Sequence, residues 1–151
     1  MIRFKDTVDF RGMTPQIAFA IERADEVNIT VWQEYYRDKV IPDEVANGPG
    51  VYLLVAHNAV LGLPTSSRAI ILDVDTWITS ISDDSPNRVP GSKHRTGEAV
   101  DFSVQDHPDP KAWADDLRKR LGPQFDVVLH DTGSGLHIHV EFDPKGKPLA
   151  T

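Results

Sequence analysis

Apolar positions recur at helical spacing in the first third of this chain and again around residue 115; elsewhere they mostly alternate. In "MTPQIAFAIERADEV", Thr14 stands as an N-cap, Pro15 opens a helix, and Ile17, Phe19, Ile21, Ala24 and Val27 follow at mostly helical intervals. The pattern predicts a helix over 15–28, and "TVWQEYYRDKVI" at 30–41 continues as helix until Pro42. "NGPG" at 47–50 marks a turn. The apolar run at 51–63 reads as a buried helix or a packed loop segment, and "AIILDVD" at 69–75 as a strand or a helix end.

Alternation takes over after residue 75. Strands are predicted at 76–82, 97–105, 125–130 and 136–142, with a polar, proline-bearing loop at 83–93. Between the second and third, Asp109 caps a helix that Pro110 opens, with Trp113, Leu117 and Leu121 on one face and Gly122 and Pro123 at its end. The short "DTGSG" loop makes the last two strands a hairpin. Helices first, then a small antiparallel sheet interrupted by a helix, is an α+β order.

Composition narrows this picture in three ways. At 151 residues, with 40% hydrophobic and 26% charged positions, the chain reads as one folded domain over 1–151, and a monomer is expected. With no cysteine, it has no disulfide framework, thiolate metal cage or cysteine nucleophile, so any metal must use histidine and carboxylate. A formal charge of -7 disfavours nucleic acid as a partner, and the basic residues Lys111, Arg118, Lys119 and Arg120 read as a solvated helix face. No leader-like segment opens the chain, and the 51–63 run, broken by His57 and Asn58, is too short to span a bilayer. Synthesis in the cytoplasm without membrane insertion is expected.

Two segments carry candidate chemistry. In "SKHRTGEAVDF", at 92–102, His94 and Asp101 flank a turn at Gly97. Val100, Phe102 and Val104 alternate with Asp101, which therefore points away from the apolar face. In "LHIHVEF", Ile138, Val140 and Phe142 take one face, while His137, His139 and Glu141 take the other. Four candidate ligands, His94, Asp101, His137 and His139, thus lie in two strand-flanked segments. Three of them could hold zinc and leave a position for water. The competing reading makes each histidine a surface or core residue.

Ser92, His94, Gly97, Ala99 and Asp101 match the S-x-H-x-x-G-x-A-x-D signature of the D-alanyl-D-alanine metallopeptidases, which the chain resembles. "HIH" is similar to the H-x-H of that group and of the lysostaphin-type endopeptidases, whose fold also includes the zinc domain of hedgehog proteins. "TPQIAFAI", "WITS" and "HIHVEFDP" resemble small phage-encoded members. The resemblance covers roughly 76–143 well and the N-terminal half loosely. It implies a zinc site of His94, Asp101 and His139, with His137 as base or transition-state stabiliser. It further implies a peptidoglycan stem peptide as substrate and action at the cell wall after lysis, after holin release or from a virion.

Two positions depart from the family pattern. Many such peptidases place a catalytic glutamate three residues before the last ligand, where this chain has Leu136. They also tend to carry an arginine just after the "TS" strand, where Asp83 and Asp84 stand; Arg88 and Arg95 are candidate substitutes. Glu141 is a second candidate base or an orienting partner for a ligand, and Ser92 and His130 are candidate substrate contacts. The leading expectation is a zinc peptidase that hydrolyses D-amino-acid-containing bonds, as a carboxypeptidase or a lysin-like endopeptidase. The alternative is an inactive zinc-stabilised binding or virion structural module. A nucleotide enzyme is disfavoured, because "GPG" at 48–50 is a turn and not a phosphate loop.

Overall fold

A computed structural model describes residues 1–57, 67–82, 91–131, 133 and 135–144. Its main body is a five-stranded sheet in the order β1 (Ile2–Phe4), β4 (Thr76–Ser80), β5 (Ala99–Ser103), β7 (Leu136–Phe142), β6 (Phe125–Asp131). All neighbours are antiparallel except β1 and β4, which run parallel. The fold is therefore α+β with a mixed sheet, not the purely antiparallel one expected. The difference comes from "IRF" at the N-terminus, whose three residues are too short for an alternation signal.

Two helices cover one face of this sheet. Thr14 caps α1 (Pro15–Tyr36) as expected, accepting the Ile17 N–H. The helix is continuous through 29 and ends at Tyr36, one turn short of the predicted limit. In α3 (Pro110–Leu121), Asp109 accepts the Ala112 N–H and the three buried residues predicted for its apolar face are in place. Both helices press onto Ile78, Val100, Phe102, Ile138 and Val140, the inward positions of the sheet. Trp113 is fully buried between them and donates its indole N–H to the Ala24 carbonyl at 3.0 Å, so the large ring leaves no polar atom unpaired.

A four-residue helix α2 (Asp43–Ala46) precedes a two-stranded ribbon, β2 (Val51–His57) with β3 (Ser67–Val74). The run expected as helix or loop is thus strand over 51–57; residues 58–63 lie outside the described ones. Ile71 and Val74 pack beneath the far end of α1 with Trp32 and Ile41 as a second, smaller core. Among the described residues neither α1 nor α3 covers the sheet's other face, where the short 3-10 turn Lys93–Thr96 meets β5. That face holds the candidate chemistry.

A half-buried histidine joins the two layers away from that chemistry. The His107 ring stacks on Trp113 at 5.0 Å and meets the edge of Trp32 at 5.5 Å. Its Nε2–H donates to Asn28 Oδ1 at 2.8 Å, and its Nδ1 accepts the Asp109 N–H at 3.0 Å. Asn28 donates onward to Thr76, and Thr76 to Asp25. Burial pushes the pKa of His107 down to about 4, against a smaller upward pull from Asp109.

This makes a sign-definite prediction. The unfolded chain protonates His107 near its ordinary value of 6.5, whereas the folded chain resists until about pH 4. Stability is therefore full above pH 6.5 and falls as pH drops towards 4, by roughly 3 kcal/mol for this one group. Urea denaturation across that window, compared between wild type and His107→Gln, should show a pH dependence that the substitution flattens. Parallel profiles would remove His107 as its source.

Candidate metal centre

Local geometry brings His94 to the sheet. Residues Lys93–Thr96 form one 3-10 turn, capped at its start by Ser92, whose Oγ accepts the His94 N–H at 3.3 Å. Gly97 ends it with φ +72, a left-handed conformation that favours glycine. A Cβ at Gly97 would also lie 2.1 Å from the Gly12 carbonyl oxygen, so the loop before α1 packs against bare backbone there. Thr14 N–H donates to the Gly97 carbonyl at 3.2 Å and fastens the two segments together.

A bulge in β4 completes the pocket around the ring. Ile78 pairs with Phe102, yet Ser80 pairs with Asp101, so one extra residue enters β4. Beyond the bulge, the Ile81 carbonyl accepts from His94 Nδ1 at 2.8 Å. Because a carbonyl can only accept, Nδ1 carries a hydrogen, and in the neutral ring Nε2 then presents a lone pair. His94 is 1% exposed. Its Nε2 is buried and makes no hydrogen bond, although it lies 3.3 Å from Asp101 Oδ2.

Asp101 and His139 face each other directly across β5 and β7. Their contact, His139 Nδ1 to Asp101 Oδ1, is 2.8 Å. Asp101 is buried, at 6% exposure. That burial pushes its carboxyl upward, but the His139 and His94 rings beside it outweigh the effect and hold it well below the usual carboxylate range. It is therefore a carboxylate.

His94, Asp101 and His139 each offer one ligand atom, and these atoms lie within 4.8 Å of one another. The buried His94 Nε2 tests the fit. A lone pair and a carboxylate oxygen at 3.3 Å repel unless a proton or a cation lies between them. A metal ion would satisfy both groups together, and a donor set of two imidazoles and one carboxylate suits a divalent cation. Three of the four candidate ligands are thus brought together, the same three that the family resemblance implies.

The remaining candidates divide. His137 is adjacent, its Nε2 3.8 Å from Asp101 Oδ1, and its Nδ1 donates to the Gly135 carbonyl at 3.0 Å. Glu141 lies 3.7 Å from His139 Nε2, which favours the orienting role over that of a base. His130 pairs with His137 across the hairpin, and burial together with His137 and His139 lowers its pKa. Ser92 has a local task as the cap of the His94 turn. Leu136 is largely exposed at the start of β7. Arg88, Asp83 and Asp84 lie outside the described residues. Ser80 and the Ile81 carbonyl were not anticipated, since nothing in a sequence marks a backbone acceptor placed by a bulge.

Comparison with known proteins returns no matching family model, no matching curated protein and no matching solved structure. No helix among the described residues is long and apolar enough to cross a membrane.

Metal binding should therefore stabilise the fold. At a free ion concentration a thousandfold above the dissociation constant the gain is about 4 kcal/mol. Thermal unfolding with added zinc and with chelator should differ accordingly. His94→Ala, Asp101→Ala and His139→Ala should each abolish the difference. An unfolding midpoint indifferent to metal in the wild type would refute the centre.

Proposed function

We propose that this chain is a zinc peptidase acting on D-amino-acid-containing peptide bonds of peptidoglycan, with a fold of the hedgehog and D-alanyl-D-alanine peptidase kind. The observation that carries the reading is the convergence of His94, Asp101 and His139 on one sheet face beside His137. Two imidazoles and one carboxylate, without thiolate, form a donor set suited to zinc with an open coordination position. The resemblance of Ser92, His94, Gly97, Ala99 and Asp101 to the D-alanyl-D-alanine metallopeptidase signature supports the substrate class. Action at the cell wall, after lysis or from a virion, belongs to the same proposal.

Bound zinc supplies two effects: it acidifies water and polarises a carbonyl group. The chain's own residues do the rest. His94, tied to the Ile81 carbonyl, and Asp101, buried between two rings, keep the ligand atoms in place without rearrangement. His137 is anchored through Nδ1–H to the Gly135 carbonyl, so its Nε2 is the free proton acceptor on the site side. It takes a proton from the attacking water and returns it to the leaving amine. Glu141, 3.7 Å from the outer nitrogen of His139, is placed to orient that ring.

Leu136 favours one second reading. It occupies the position where many relatives of this kind hold a catalytic glutamate, as would be seen in a zinc-stabilised binding or virion structural module. Digestion of defined muropeptides separates the two. Under the peptidase reading, cleavage is lost with chelator and restored by zinc. His137→Ala keeps the metal while kcat falls about 10²–10⁴-fold, and Glu141→Gln retains most activity. A zinc-loaded wild type that leaves every muropeptide intact supports the binding module instead. A dead Glu141→Gln with an active His137→Ala would transfer the proton to Glu141.

A further inference from the structure

The hairpin of β6 and β7 carries a histidine pair that the three-ligand centre does not use. His130 and His137 stand directly opposite each other, on the same face as His139. Their ring centroids are 4.7 Å apart with an interplanar angle of 56°. His94 and His139, inside the candidate centre, are 5.1 Å apart at the same 56°. The likeness extends to how the rings are held. His94 donates through Nδ1 to the Ile81 carbonyl, and His137 donates through Nδ1 to the Gly135 carbonyl. Each pair therefore contains one ring whose tautomer is set by a carbonyl and whose Nε2 lone pair is presented to its surroundings, the outer-shell arrangement usual for a metal-binding histidine. Asp101 stands between the pairs, with Oδ2 3.3 Å from His94 Nε2 and Oδ1 3.8 Å from His137 Nε2.

We propose that His130 and His137 form a second site for a divalent cation that favours imidazole, such as zinc or copper(II). It is weaker than the first, because two imidazoles without a buried carboxylate of their own supply fewer and less charged donors. Occupation takes the Nε2 of His137. Under the proposed peptidase function this is the proton carrier, so excess cation suppresses the hydrolysis that the first ion supports. The inhibition rests on that function; the number of ions bound does not.

The test is equilibrium dialysis of the full chain against rising zinc, with elemental analysis of the protein. The expected result is a second equivalent taken up after the first. His130→Ala, and His130→Gln as a variant that keeps a polar side chain, should retain the first ion. Both should weaken the second by more than about 100-fold, since loss of even an outer-shell partner costs 10–100-fold. A wild type that saturates at one ion or fewer overturns the proposal, as does an unaltered second affinity in both variants. Two ions bound without any muropeptide cleavage would sink the peptidase reading and leave this site standing. Cleavage with saturation at one ion would do the reverse.

Discussion

A buried carboxylate between two imidazoles is the constraint on which the rest of this structure depends. Asp101 is almost wholly withdrawn from water yet stays ionised, a state that costs several kcal/mol unless its oxygens find cationic or hydrogen-bonding partners. His139 serves one oxygen at 2.8 Å. The other lies 3.3 Å from His94 Nε2, a buried atom with no hydrogen bond of its own. A proton or a cation between these two atoms would satisfy both, and the cluster of His94, Asp101 and His139 could hold a metal ion. The bulge in β4, the 3-10 turn and the left-handed Gly97 all serve to bring His94 to this position.

The surrounding architecture makes such an arrangement rigid. Asp101 and His139 sit on the middle strands of the five, paired in register, with Phe102, Val140 and Ile138 filling the core behind them. Two helices press on that core face, so movement of either ligand would require repacking around Trp113. The opposite face is left for chemistry. It carries His137 and His130 in a row beside the candidate ligands, which grade from the buried His94 to groups within reach of solvent.

Much of this was legible in the sequence, for physical reasons that differ by element. The H-x-H spacing is informative because a strand's two-residue period forces His137 and His139 to one face. The ends of α3 and the start of α1 follow from Asp109, Pro110, Thr14, Pro15 and Gly122, residues whose backbone chemistry acts locally. The ribbon of β2 and β3 was harder to recognise, because a continuous apolar run such as "VYLLVA" lacks the alternation that distinguishes a strand from a buried helix. The parallel pairing of β1 depends on contacts more than 70 residues distant in sequence. The bulge that places the Ile81 carbonyl, and the hydrogen-bonded chain from His107 to Asp25, likewise exist only once the layers meet.

The central claim is that one cation joins His94, Asp101 and His139. Diffraction from crystals grown with zinc, recorded at the zinc absorption edge, locates such an ion without reference to activity. The account predicts the strongest anomalous peak about 2.0–2.2 Å from His94 Nε2, an Asp101 oxygen and a His139 ring nitrogen together. A strongest peak away from these three side chains, or zinc-saturated crystals with no peak between them, would contradict it.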